Sequence, residues 1–244
     1  MVKSLLVNGI QIGNLTTGNG PLVVGTLTLR GSLPAMRGGV DYPCDVVEVR
    51  LDLIGADTPG WLGECRIIEA AGVPVLVTLR LASEGGLWKN PDADRIPLLT
   101  SALQVVSCID VEYHSPSREP LCALARQLGK PVIVSYHHFT RTPPIGELDD
   151  LVHRMGEASG VIPKISTMIQ GRQDIATLKE LLSRHQGHPI CVIGMGPDAS
   201  ETRIEFPALG SCLTYGYLDS PGAPGQLPAA ILRERLKRAG WPHP

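Results

Sequence analysis

The chain reads as an α/β protein folded as a (β/α)8 barrel, with an N-terminal β-hairpin placed before it. Three observations predict this. Short apolar runs rich in β-branched residues recur eight times, helix-like stretches separate them, and glycine or proline stands at most junctions. The length of 244 residues suits one such barrel, because eight strand–helix units take roughly 250 residues. With 43% hydrophobic and 19% charged residues, the chain can bury a large core. Its 27 glycines and 21 prolines follow no fixed period, which implies many short elements and turns rather than a low-complexity chain.

Taken in order, Leu5–Gly13 reads as the hairpin, with Asn8-Gly9 at its centre, inside a leading segment spanning residues 1–20. The predicted strands are Leu22–Thr28, Val46–Asp52, Val73–Arg80, Cys108–His114, Val132–His137, Val161–Met168, Pro189–Gly194 and Cys212–Tyr217. Helical stretches follow at Gly63–Ala71, Asp94–Val106, Arg118–Leu128, Gly146–Ala158, Asp174–His185 and Pro228–Ala239. The junctions Gly72-Val-Pro74, Gly129-Lys-Pro131 and Gly187-His-Pro189 combine a helix stop with strand entry. A doubly wound sheet competes, but it would carry a glycine-rich phosphate loop after its first strand. Here that turn reads Thr28-Leu-Arg-Gly-Ser-Leu-Pro34. Residues 1–244 are therefore expected to form one barrel domain.

A formal net charge of -2 argues against a surface built for nucleic acid or anionic lipid. Met1–Ile10 holds a three-residue apolar stretch, Leu5–Val7, short of the roughly 7–15 residues of a signal-peptide core. No apolar run approaches the roughly 18 residues needed to cross a bilayer. The six cysteines form no CxxC pair, and no histidine joins them at metal-ligand spacing. They read as small buried hydrophobes in a reducing compartment. A cytoplasmic protein without nucleic-acid or membrane partners is the expectation.

Charges sit where a core belongs. In Val46–Asp52, alternation puts Val47, Val49 and Leu51 on one face and Glu48, Arg50 and Asp52 on the other. A parallel sheet is covered on both faces, so the charged set points into the barrel. Asp110, Glu112 and His114 repeat the pattern, as do Thr78 with Arg80, Ser135 with His137, and Lys164 with Ser166. Such a buried ionic network stabilises a fold poorly, which favours a functional site at the C-terminal ends of the strands. Lys164 follows Pro163 in an apolar strand. An amine there, its pKa lowered by burial and by neighbouring guanidinium groups, can attack a carbonyl and form a Schiff base. Arg50, Arg80 and Arg203 are the cations expected around it, and they also suit a carboxylate or hydroxyls. His137 suits a general base titrating near neutrality, with Glu84 to orient it. His138 faces the other way, so the two imidazoles do not share a metal.

Glu48-Val-Arg50-Leu-Asp52, Thr78-Leu-Arg80 with Glu84-Gly-Gly86, Ser135-Tyr-His137, Pro163-Lys164-Ile165 and Pro224-Gly-Gln226 together resemble the ordered motifs of type I 3-dehydroquinate dehydratases. The resemblance runs from the N-terminal hairpin to the final helix. It implies a (β/α)8 barrel, usually a homodimer, that works in the shikimate pathway on 3-dehydroquinate without metal or cofactor. Position by position, Lys164 matches the family's Schiff-base lysine, His137 its general acid/base and Glu84 the carboxylate paired with that histidine. Glu48, Arg50 and Arg80 match residues that hold substrate hydroxyls and shape the pocket. Arg203 matches the arginine for the substrate carboxylate, and Gln226 the glutamine of a closing loop at 220–228. Tyr215 stands where phenylalanine is common, so an aromatic wall is kept. Gly222 stands where the family has a loop serine, which removes a hydroxyl donor near the carboxylate. His138 stands where aspartate is common.

Other readings are a Schiff-base lyase or aldolase for a related polyhydroxy acid, a catabolic quinate-pathway dehydratase, or a non-catalytic ligand-binding relative. Loss of Lys164 or His137 would mark the last of these, and both are present.

Overall fold

The structure, a computed structural model, describes residues 9–36 and 42–241. It begins with two short antiparallel strands, β1 (Gln11–Ile12) and β2 (Leu15–Thr16), paired Gln11 to Thr16 and Ile12 to Leu15. Gly13-Asn14 joins them, and Gly13 takes φ +59, the left-handed conformation a tight two-residue turn requires at its first position. The hairpin is therefore centred on Gly13-Asn14 rather than on Asn8-Gly9, and residues 5–8 of the expected hairpin lie outside the described residues. Packing explains the register. It drops Ile12, 1% exposed, into the N-terminal end of the barrel with Leu22, Val24, Leu76 and Ile133.

The barrel strands are β3 (Leu22–Leu27), β4 (Val46–Arg50), β5 (Val75–Thr78), β6 (Cys108–Glu112), β7 (Val132–His138), β8 (Val161–Met168), β9 (Cys191–Met195) and β10 (Leu213–Tyr217). Each from β3 to β9 is paired in parallel to the next up to β9, and β10 lies parallel to β3. The seam between β9 and β10 is closed by a parallel bridge from Ile190 to Ser211, where the Cys212 N–H donates to the Ile190 carbonyl at 2.8 Å. A last short strand, β11 (Leu227–Pro228), pairs in parallel with β10.

The helices are α1 (Ser32–Ala35), α2 (Leu51–Ile54), α3 (Trp61–Ala70), α4 (Arg95–Leu103), α5 (Arg118–Gln127), α6 (Ile145–Gly156), α7 (Arg172–Arg184), α8 (Thr202–Ala208) and α9 (Ala229–Arg238). The sequence reading has no helix at α8, which holds Pro207 within it. Proline has no N–H for the Arg203 carbonyl four residues back. The Thr214 hydroxyl donates to that carbonyl at 2.9 Å instead, so the short helix survives.

Two apolar layers result. Val47, Val49, Val77, Ile109 and Val134 face the helices, while Val46, Leu76, Cys108, Ile133 and Ile162 fill the lower barrel. Five of the six cysteines are buried and all six are free thiols. Among the described residues, no helix is long and apolar enough to cross a membrane.

Two inward assignments fail where strands stop early. β6 ends at Glu112, and the exposed His114 lies beyond it in a turn. Asp52 falls in α2 and binds Arg50, with Nε–Oδ1 at 3.0 Å and Nη2–Oδ2 at 2.9 Å.

Candidate active site

At the C-terminal mouth, one cavity is lined by Glu48, Arg50, Arg80, Glu84, His137, Lys164, Arg203, Tyr215, Gly222 and Gln226. All ten residues assigned to the site from the sequence thus meet there. Thr26, Phe139, Met195 and Ala223 line it as well and were not foreseen. Phe139 and Ala223 lie on loops and carry no chemical signal of their own, and Thr26 and Met195 stand on β3 and β9 with no charge to mark them. Strand alternation is what carries the inward residues to the mouth. Stepping by two along β8 leads from Ile162 to Lys164 to Ser166, and along β7 from Ile133 to Ser135 to His137.

Lys164 is 5% exposed. Its Nζ donates to Asp110 Oδ2 at 3.0 Å and stands 4.4 Å from the centre of the Tyr215 ring, a cation–π contact. The charge in contact with Lys164 is thus a carboxylate, not the ring of guanidinium groups expected from sequence. Asp110 was visible as an inward acid but was not counted among the site residues. It also takes an ion pair from Arg80 at 2.7 Å and a hydrogen bond from the Ser135 hydroxyl at 2.6 Å. Burial works against its charge, but Arg80 and then Lys164 outweigh that and hold the carboxyl well below its ordinary range.

Arg80 is occupied by its neighbours. Beyond Asp110 it pairs with Glu112 at 3.1 Å and donates to Ser135 Oγ at 2.7 Å. Glu112 in turn is held by the fully buried Arg95 at 2.6 Å and by the Leu81 N–H. Arg95, on α4, had given no sign of burial in the sequence. Glu48 accepts from Thr26 at 2.8 Å and from Thr78 at 2.7 Å, which fixes its carboxylate at the cavity floor.

His137 and Glu84 form the second unit. Glu84 Oε2 lies 2.9 Å from His137 Nδ1 and accepts the His137 backbone N–H at 3.0 Å. Burial, then the Arg80 guanidinium and the Lys164 ammonium, keep the imidazole well below its ordinary 6.5, so it is neutral at neutral pH. Burial raises the Glu84 carboxyl to about 7, against the pull of Arg80.

Arg203 forms the third. Its guanidinium is tied to carbonyls, those of Gly225 at 3.0 Å and Tyr215 at 3.1 Å, and among the described residues it has no carboxylate partner. Burial alone brings it down to about 10. A desolvated guanidinium that faces the cavity with no acid bonded to it is a place for an anion. The loop that carries Gly225 is packed over it. Gly225 takes φ +73, and a Cβ there would meet the Gly196 carbonyl at 2.3 Å. Gly222, expected to share such freedom, keeps an ordinary φ. Its N–H donates to Gln226 Oε1 at 2.7 Å, while Gln226 Nε2 reaches Thr26 Oγ1 at 3.2 Å.

Fold and site together define a barrel enzyme built on a buried lysine amine and a neutral, carboxylate-backed imidazole. Residues 24–240 match the family model of type I 3-dehydroquinase. The chain is 34% identical over 220 residues to the 3-dehydroquinate dehydratase of Methanocella arvoryzae, covering 90% of this chain and 97% of that one. It is likewise 34% identical over 239 residues to the 3-dehydroquinate dehydratase of Methanosarcina barkeri, covering 93% and 98%. Its fold is like that of the type I 3-dehydroquinate dehydratase of Clostridium difficile, solved with covalently modified comenic acid. The TM-score is 0.81 at 23% identity, covering 95% of this chain and 97% of that one. The chain belongs to the type I 3-dehydroquinase family.

Proposed function

We propose that this protein eliminates water from 3-dehydroquinate to give 3-dehydroshikimate through an imine on Lys164. The observation that carries the proposal is the presence in one cavity of a buried amine, a neutral imidazole and an arginine lacking an acid partner. Arg203 pairs with the substrate carboxylate, and the Gln226 amide turns from Thr26 to the same group. Arg50, Arg80 and Glu48 shape the ring's hydroxyl side. His137 accepts the proton that the Lys164 ammonium must lose before its lone pair attacks the ring ketone. Condensation expels one water, which carries off the proton His137 had taken, and leaves an iminium beside the acidic ring carbon with the imidazole neutral again. The iminium withdraws electrons as His137 removes the proton from that carbon. His137 then returns the proton to the departing hydroxyl, which leaves as the second water. Hydrolysis of the imine consumes one water and frees Lys164, so a single water is lost per turnover. Glu84 holds the ring through Nδ1, leaving Nε2 for these transfers.

The same reading assigns residues 1–244 to one barrel domain with its hairpin within 1–20 and a lid at 220–228. It further takes the protein to be a cytoplasmic homodimer of the shikimate pathway. Borohydride added with 3-dehydroquinate tests the chemistry. A reduced adduct is expected on the peptide carrying Lys164, and Lys164→Ala is expected to lose both the adduct and at least about 10³-fold in turnover. An unmodified Lys164 peptide from active enzyme would overturn the imine.

A further inference from the structure

On the outer face of the barrel, beside the N-terminal ends of β8 and β9 and away from the catalytic mouth, α6 and α7 bring an acid and two histidines together. Asp149 and His153 stand one helical turn apart on α6, and His185 follows the end of α7. One donor atom from each lies within 4.8 Å of the others. His185 Nε2 is 2.8 Å from Asp149 Oδ1, and His153 Nε2 is 3.9 Å from that same oxygen. The two imidazoles meet edge to face with centroids 4.9 Å apart.

A helix-to-helix hydrogen bond explains only part of this. Arg184 already takes Asp149 Oδ2 at 3.0 Å, and His185 takes Oδ1. His153, its side chain 71% exposed, is then turned toward an oxygen too far away to bond. Two imidazole nitrogens and a carboxylate oxygen around one point are the donor set of a borderline divalent cation. Metal–ligand bonds of about 2.0–2.2 Å put tetrahedral ligand atoms roughly 3.3–3.5 Å apart, between the two separations seen to Asp149 Oδ1. His153 and His185 also line a cavity of about 430 Å³ together with His188, Val152, Ser159 and Ile190.

We propose that Asp149, His153 and His185 bind a divalent cation of the zinc class, with the remaining coordination positions open to this cavity. Binding needs the lone pair of His185 Nε2, so the imidazole proton sits on Nδ1 and the hydrogen bond to Asp149 Oδ1 gives way to two metal bonds. The Arg184 guanidinium stays on Oδ2, where it keeps the carboxylate aimed. None of these residues lines the cavity that holds Lys164, so the cation is no part of the dehydration and its loss leaves turnover unchanged.

Calorimetric titration of the purified chain with zinc chloride is the test, with thermal unfolding as a second readout. One saturable site per chain is expected, and saturation raises the Tm because the metal binds the folded state. His153→Ala, at an exposed position that leaves the fold intact, is expected to weaken binding about tenfold or more and to abolish the Tm shift, at unchanged dehydratase turnover. His185→Gln does the same if it folds. A Cys122→Ser control keeps full affinity, which excludes the half-buried thiol as ligand. Absence of saturable binding, or affinity undiminished in His153→Ala, overturns the site.

Discussion

Val46, Leu76, Cys108, Ile133 and Ile162 fill the lower barrel. Two residues further along the same strands stand Glu48, Thr78, Asp110, Ser135 and Lys164. One step of the pleat separates an apolar layer, plugged from below by Ile12, from a layer of paired charges. The lower layer gains stability from each buried side chain, about 1.5–3 kcal/mol for a large aliphatic one. The upper layer gains little, since the cost of burying ions consumes most of their attraction. The difference divides the barrel: the lower half holds the fold, and the upper half buries the amine, acid and imidazole proposed for the chemistry.

The most severe way to break this division is to remove chemistry without touching the support. His137→Ala is expected to lower kcat by about 10²–10⁴-fold while a Lys164 adduct accumulates, seen as a mass increase on intact protein. Its melting temperature should hold, because the ring's hydrogen bonds end on Glu84 alone. Near-normal turnover would move the base elsewhere. The converse substitution sits at the other end. Ile12→Ala empties volume in the plug and is expected to cost about 2–5 kcal/mol in chemical denaturation, with kcat unchanged.

A milder change sharpens the electrostatic side. Burial raises the folded Glu84 carboxyl to about 7 from an ordinary 4.5. Between those values the folded chain holds a proton that the unfolded chain has released. Stability from this group therefore falls as pH rises through that window and is fully lost above it. Glu84→Gln removes the loss, so its stability relative to the parent should grow between about pH 5 and pH 8 in urea unfolding. A difference independent of pH would mean that the carboxyl is not desolvated.

The smallest effect is expected at the lid. A Cβ on residue 222 would stand 3.2 Å from Thr28 Cγ2, 3.6 Å from Gln226 Oε1 and 3.7 Å from Arg50 Nη1. Gly222→Ser therefore places a hydroxyl beside Gln226, the amide proposed to reach the substrate carboxylate, after a shift of a few tenths of an ångström at Thr28. Added to a charged acceptor, and taken at the low end of about 1.5 kcal/mol, it is expected to lower KM by roughly tenfold with kcat unchanged. A raised KM would mean that the loop is shaped for another ligand.

Much of this was legible in the sequence because alternation is local. The pattern Val-Glu-Val-Arg in β4 specifies which side chains face in as soon as the strand forms, and the glycine and proline junctions count out eight such strands. Hence Lys164, His137, Glu48 and Arg80 were assigned to the interior from residue types alone. The hairpin was not, because Asn8-Gly9 is the stronger local turn signal. The register is decided instead by whether Ile12 finds the open end of a barrel that does not exist until all strands have closed. The partners of the charges were out of reach for the same reason. Asp110 meets Lys164 across 54 residues, Glu84 meets His137 across 53, and Asp149 meets His185 across 36. A sequence pattern dictates the face a side chain takes. Only barrel closure and helix packing decide which charge lies opposite it, since the strength of a buried charge pair depends on distance and desolvation, quantities that no short stretch of chain contains.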